Sequence, residues 1–404
     1  MAIKIGILGA GAFAQCFIPL YKAHPLVSEL SLCDRQGEKL KQSAEKHGVS
    51  RCFTSYDELL ASDVDAIVII TQHWLHAPQA VQALKAGKHV YSAVPSAVSM
   101  DDIGQLVETV AKQRRVYMVG ETSYYYPEAI YCRERFKAGD FGHVVYGEAE
   151  YYHDWTHGLY DVMQWRHGEN WRRLCGDPPM YYPTHSVGML VSVTGAYATH
   201  VSAQGFIDRK PEDRDIYNPE NPHANVFSNE TALLKMSDGS SFRINEFRRI
   251  GHPSTVRMTL FGTEASFECN SAGSAWLTRD VDATIRLDEM LKCEERPAIE
   301  TAGSKMAVVP ASDGTHADVS RVHPIARLPR EFRGKPNGHC GSHQFLVDDF
   351  VRACDTQTLP PNNVWQAARY LIPGLIAHES AKRGGELLKA PDLGSEPANW
   401  EKLK

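Results

Sequence analysis

The sequence predicts an α/β protein: a doubly wound parallel sheet over residues 1–122, then an α/β domain over 123–404 built on a large, mostly antiparallel open sheet. Three observations predict it. Short apolar strands alternate with helix-patterned segments up to about residue 122. A glycine turn joins the first strand directly to the first helix. Beyond residue 140 the hydrophobic period changes to two, with Gly, Asp and Ser between the runs.

In the first half, "IKIGIL" reads as a strand, "GAGAFA" as a turn and "FAQCFIPLYKAH" as a helix. "ELSLCD", "VDAIVIIT", "HVYSAV" and "VYMVG" supply further strands, and Val64–Thr71 is apolar on both faces, as a buried parallel strand should be. The helical stretches "QGEKLKQSAEKHG" and "HAPQAVQALKAG" each end in the glycine expected just past a helix. In the second half "FGHVVYGEAEYYHDW", "ETALLKMSDGSSFRINEFRR" and "STVRMTLFGTEASFEC" alternate as strands with one solvated or interface face. Residues 295–337, rich in Pro, Gly and charge, read as a long loop or lid. Two amphipathic helices, "SHQFLVDDFVRACD" and "VWQAARYLIPGLIAHESAKRGG", close the chain.

The net charge of −6, with acids and bases interspersed, argues against a nucleic-acid groove or a membrane-binding face. No run has the length of a membrane span, and residues 1–15 form a strand and turn instead of a leader. Nine scattered cysteines, with no C-x-x-C pair, point to reduced thiols in the cytoplasm and to no metal site.

The strand–glycine–helix unit has the pattern of a Rossmann domain. Gly9 permits the tight turn, Gly11 lets a pyrophosphate approach the backbone, Ala14 allows close helix packing, and Ala12 and Phe13 complete the loop. Free N–H groups at the helix start suit phosphates. Asp34 ends the second strand, where its carboxylate accepts from both ribose hydroxyls and repels a 2′-phosphate, which favours NAD over NADP; Arg35 beside it pulls the other way. Thr71, His73 and His76 follow the third strand at the nicotinamide half, as cofactor contacts or as polar loop residues.

"GAGAFA", "CDR", "VDAIVIITQHWLHAPQAVQALKAGKHV", "MVG" and the "FG…GE" strand entry together resemble the Gfo/Idh/MocA oxidoreductases over nearly the whole chain. The resemblance implies a bound NAD, a sugar, inositol or related polyol as substrate, and a homodimer or homotetramer. The departures are informative. Dehydrogenases of the family carry Glu-Lys-Pro where this chain has Ala93, Val94 and Pro95, and Asp-x-Gly-x-His where it has Tyr181-Tyr182-Pro183-Thr184-His185. A valine cannot act as a base. Val-Pro together with "YPTH" resembles the NAD-dependent glycoside hydrolase branch, which cleaves by transient C3 oxidation, C2 deprotonation, elimination, water addition and re-reduction. By that resemblance Tyr182, His185, Tyr151 and Glu121 are the catalytic candidates, and Val94 and Pro95 border the cofactor.

Tyr182 and His185 lie three apart around Pro183, which suits one face of a first helical turn, with a helix N-terminus to lower the phenol pKa. Period two sends Tyr151 and His153 to one face of their strand, Tyr152 and Asp154 to the other. Trp165 and Trp171 either stack on a sugar ring or pack in a core. Arg248 is either a substrate-facing anion clamp or a solvated or interface charge. The alternatives to a glycosidase are an NAD-dependent sugar or inositol dehydrogenase and a catalytically silent NAD- or sugar-binding regulator.

Overall fold

Strands β1 (Ile3–Leu8), β2 (Val27–Cys33), β3 (Arg51–Phe53), β4 (Ala66–Ile69), β5 (His89–Ser92) and β6 (Tyr117–Val119) pair in parallel in the order β3-β2-β1-β4-β5-β6. Every residue of β4 and β5 is buried, because both faces of these apolar strands lie under helices. The strand order reverses between β1 and β4, which opens the crevice where such sheets take a ligand. The computed structural model describes residues 2–293, 298–301, 304–309, 314–398 and 400.

The chain divides into two compact units, 1–126 with 293–368 and 393–404, and 127–292 with 369–392. A single cut at 122/123 leaves residues 293–368 with the second unit; their contacts put them in the first. The reason is a buried polar seam. The Asn362 carbonyl accepts from the Val119 N–H at 2.9 Å, prolonging the edge of β6, and Ser342 Oγ donates to the Thr122 carbonyl at 2.7 Å. Buried Asp348 meets His24 Nε2 at 3.2 Å, and Asp349 meets Arg327 at 2.7 Å.

In the second unit β7 (Val144–Tyr152), β8 (Ala198–Ile207), β9 (Phe227–Met236), β10 (Ser241–Phe247), β11 (Thr255–Gly262), β12 (Ala265–Asn270), β13 (Gly273–Thr278) and β14 (Ile285–Arg286) form a sheet in the order β14-β13-β12-β11-β7-β10-β9-β8, with Leu388–Lys389 on the outer edge of β8. All pairings are antiparallel except β7 with β10. The helix Thr184–Thr194 packs on β7, β10 and β11, and the helix Pro127–Lys137 packs on it in turn. The opposite face is open and carries an ion-pair ladder, Arg243 to Glu148 at 2.5 Å and Arg257 to Glu150 at 2.6 Å.

The stretch read as a loop or lid contains regular structure. β15 (Ala298–Thr301) and β16 (Ser304–Val309) form an antiparallel pair, and β17 (Asn337–Gly338) adds to β16. Phe332, in a short 3-10 turn, is fully buried. Charge and proline content hid these short strands. The rest of the stretch, within 294–297, 302–303 and 310–313, lies outside the described residues.

Candidate active site

The nucleotide end belongs to the first unit. Gly9 has φ +101°, and a Cβ there would lie 2.2 Å from the Ile70 carbonyl oxygen, so only glycine fits. Gly11, Ala12 and Ala14 are buried, which lets the helix Ala14–Ala23 start hard against the turn. Asp34 is held in place: Oδ2 accepts from the Ala10 N–H and Oδ1 from the Gln36 N–H, both at 2.9 Å. Each oxygen keeps a lone pair for a ribose hydroxyl, so the residues fit a dinucleotide. Arg35 is exposed beside it. Phe13 packs edge-on against Phe17, with ring centroids 5.0 Å apart, and against His343 at 5.8 Å.

His76 is buried and ties two loops together, with Nδ1 2.8 Å from the Pro95 carbonyl and Nε2 3.1 Å from the Thr71 carbonyl. Its geometry is that of a brace between the loops carrying Thr71 and Val94-Pro95. Thr71 Oγ1 donates to Gln79 at 2.6 Å, and His73 packs edge-on to Trp74. Val94 is buried and joins Pro95 by a cis peptide. Glu121 is fully buried and accepts from the Ser123 N–H at 2.9 Å, capping the short turn Thr122–Tyr125.

The second unit brings four of the predicted residues into one aromatic–imidazole cluster. Tyr151, at the end of β7, lies edge-on to His185 with centroids 5.0 Å apart, and Tyr182 lies 5.5 Å from His185 and 6.4 Å from Tyr151. The Tyr151 hydroxyl is 2.7 Å from His153 Nδ1, and the Arg248 guanidinium sits over the Tyr151 ring at 4.9 Å. Tyr151 and His153 thus share the site face, while Tyr152 stacks on Phe247 and Asp154 caps the turn Trp155–His157. Burial pushes the Tyr151 phenol pKa up, with Arg248 pulling the other way. Burial and then Arg248 draw His153 down to about 3.

One local expectation is corrected. The helix starts at Thr184 with Pro183 as its cap, so Tyr182 (φ −123°, ψ 47°) precedes it instead of riding its first turn. Proline at the cap ends the preceding short turn and sets the helix direction. Proximity to His185 survives, because Tyr182 folds back over the helix start.

Residues 3–121 match the family model described as "GFO_IDH_MocA: Oxidoreductase family, NAD-binding Rossmann fold". Residues 3–121 thus carry the NAD-binding Rossmann fold of the Gfo/Idh/MocA oxidoreductase family. Among curated relatives, a "Glycosyl hydrolase family 109 protein" of Streptomyces niveus is 25% identical over 427 residues, covering 100% of this chain and 79% of the relative. A protein of the same name from Solibacter usitatus is 25% identical, covering 97% and 88%. A solved structure of levoglucosan dehydrogenase with NADH and levoglucosan has a TM-score of 0.70 at 15% identity, covering 96% of this chain and 99% of that one. The Gfo/Idh/MocA unit makes this an NAD-dependent enzyme, and among the described residues no helix is long and apolar enough to cross a membrane.

The remaining candidates part company. Trp171 packs against a small core of Trp155, Leu159, Met163, Cys175, Ile216 and Tyr217, whereas Trp165 is 44% exposed on the helix Leu159–His167. Arg248 is buried and bonds the Pro179 carbonyl and Glu246, each at 3.4 Å, so the solvated-charge reading does not hold for it. Sequence reasoning missed two residues of the site's support, Glu230 and Glu246, both with no exposed surface. The signal was present: in "SNETALLKM" and "SFRINEF" each glutamate falls in phase with the apolar residues of its strand, on the face that must be buried.

Proposed function

We propose that this enzyme is an NAD-dependent glycoside hydrolase that cleaves a sugar glycoside by oxidation and elimination. The observation that carries the reading is the packing of Tyr182, His185 and Tyr151 into one cluster, in a chain with Val94 in place of the dehydrogenase lysine. Tyr181, in the place of the dehydrogenase aspartate, packs instead on His378 and His223. Relatives named glycosyl hydrolase family 109 over the full chain support the same reading.

When bound, NAD supplies reversible hydride uptake from the sugar C3. Tyr182, as its phenolate, takes the C2 proton and returns one to C2 when water adds. His185 protonates the departing C1 oxygen and then deprotonates the incoming water. The C3 hydroxyl proton passes to solvent on oxidation and is regained on re-reduction. Tyr151, fixed by His153 and by the Arg248 guanidinium, orients the sugar hydroxyls, and the half-buried helix bearing Trp165 borders the aglycone. Glu121 acts through the turn it caps. Nine scattered cysteines with no C-x-x-C pair suit a reducing cytoplasm. The open sheet face, on which Phe206 and Leu233 are 54% and 56% exposed, suits a homodimer or a homotetramer.

Aryl glycosides turned over in D2O test the reading. Product sugar should carry deuterium at C2 with no net NADH. Net NADH without aglycone release makes the enzyme a dehydrogenase, and NAD binding with neither makes it a regulator. Cleavage without C2 exchange overturns the mechanism.

A further inference from the structure

Glu230 on β9 and Glu246 on β10 are direct cross-strand partners, and neither has exposed surface. Two carboxylates opposite each other in a sheet repel, and burying them unpaired is costlier still, so their presence requires partners. Each oxygen has one. Glu230 Oε1 meets His378 Nδ1 at 2.8 Å, and Oε2 accepts from the Met180 N–H at 3.0 Å. Glu246 Oε1 accepts from Ser186 Oγ at 2.5 Å, and Oε2 from Arg248 at 3.4 Å.

Met180 and Ser186 lie two residues before Tyr182 and one after His185. The two carboxylates therefore grip opposite ends of the segment that presents both side chains. A third wall closes on it: a Cβ at Gly374 would lie 2.2 Å from the Met180 carbonyl oxygen and 2.4 Å from Pro183 Cγ, so the helix Val364–Lys382 approaches this segment at a distance only glycine allows. His378, one turn further along that helix, packs its ring edge-on against Tyr181 at 5.4 Å.

We propose that Glu230 and Glu246 are positioning residues that clamp the 180–186 segment and set the placement of Tyr182 and His185. The proposal rests on the functional reading only for its kinetic consequence. It makes reach, not charge, the operative property. Glu230→Gln keeps the reach, because its amide oxygen still accepts from the Met180 N–H and its amide nitrogen can donate to His378 Nδ1. Glu230→Asp keeps the charge and shortens the arm by one methylene. Ser186→Ala cuts the Glu246 end with the least disturbance.

The test uses the full-length, NAD-loaded protein labelled with 13Cζ-tyrosine and 15N-histidine. Tyr182 and His185 resonances are assigned through Tyr182→Phe and His185→Asn. Glu230→Gln should leave both resonances at parent positions, whereas Glu230→Asp and Ser186→Ala should shift both. In aryl glycoside turnover Glu230→Asp should lower kcat at least tenfold with KM within twofold, and Glu230→Gln should rescue it to within threefold. If folded Glu230→Asp and Ser186→Ala leave both resonances in place, or if Glu230→Gln moves them as far as Glu230→Asp does, the clamp is wrong. Should Glu230→Asp fail to fold, Ser186→Ala decides by the same signals. If the parent cleaves no glycoside, the functional reading falls while the resonances still decide the clamp.

Discussion

The Tyr151 hydroxyl lies 2.7 Å from Nδ1 of a histidine, His153, that stays neutral down to about pH 3. Burial is the main cause, and the Arg248 guanidinium that also covers the Tyr151 ring adds to it. This hydrogen bond therefore does not titrate in the working range. His153→Gln should lower kcat by roughly fivefold, the worth of one orienting hydrogen bond of about 1 kcal/mol. The acid-limb midpoint of the kcat profile should stay where it is, and a midpoint displaced by a full pH unit would make His153 a proton donor.

Acid stability should depend on His89. Its Nδ1 accepts from the Val116 N–H at 2.9 Å, and burial, with Arg115 nearby, lowers its pKa to about 4 from 6.5. The unfolded chain takes up a proton below about pH 6.5 that the folded chain refuses until about pH 4. Stability is thus complete above that window and falls as the pH drops through it. Between pH 7 and pH 5 the loss is about 2 kcal/mol. Urea melts at the two pH values should show His89→Gln losing less than the parent by about that amount.

Cofactor choice should rest on Asp34, whose carboxylate is fixed by the Ala10 and Gln36 amides before any ligand arrives. Calorimetry should give NAD the tighter binding, and Asp34→Ser should narrow the gap by about tenfold, which is about 1.4 kcal/mol. Equal affinities of the parent for NAD and NADP would refute this.

Restoring the family's lysine should not restore a dehydrogenase. In Val94→Lys the new side chain enters a buried position, and Tyr181 still stands where the aspartate would be. Sugar-dependent NADH formation should rise less than tenfold over the parent. A larger gain would mark the chain as a decayed dehydrogenase.

The parallel sheet was legible because Val64–Thr71 is apolar on both faces and because Gly9 sits at the tight turn between the first strand and helix. The cluster was legible only in part. Period two put Tyr151 with His153, and the residue spacing put Tyr182 near His185, but the helix start was misplaced by the capping role of Pro183. Glu230 and Glu246 went unseen because a glutamate in an alternating strand is ordinarily read as the solvated face, and only its phase with Ala232, Leu234, Phe242 and Ile244 says otherwise. Residues 293–368 were assigned by sequence adjacency, whereas carboxylates such as Asp348 and Asp349 find their partners far back along the chain.

The three-part composition of the first unit has a consequence for how the protein is made. The six parallel strands lie within residues 1–126, yet the segment whose Asn362 prolongs their edge and whose Ser342 holds the Thr122 turn is synthesised more than two hundred residues after them. Until that segment emerges, the nascent nucleotide-binding sheet stands with that edge unsealed, open to chaperones and to strand pairing with other chains. The second unit, nearly contiguous from 127 to 292, gathers its strands in the interval. Completion of the cofactor-binding unit therefore follows synthesis of the second unit.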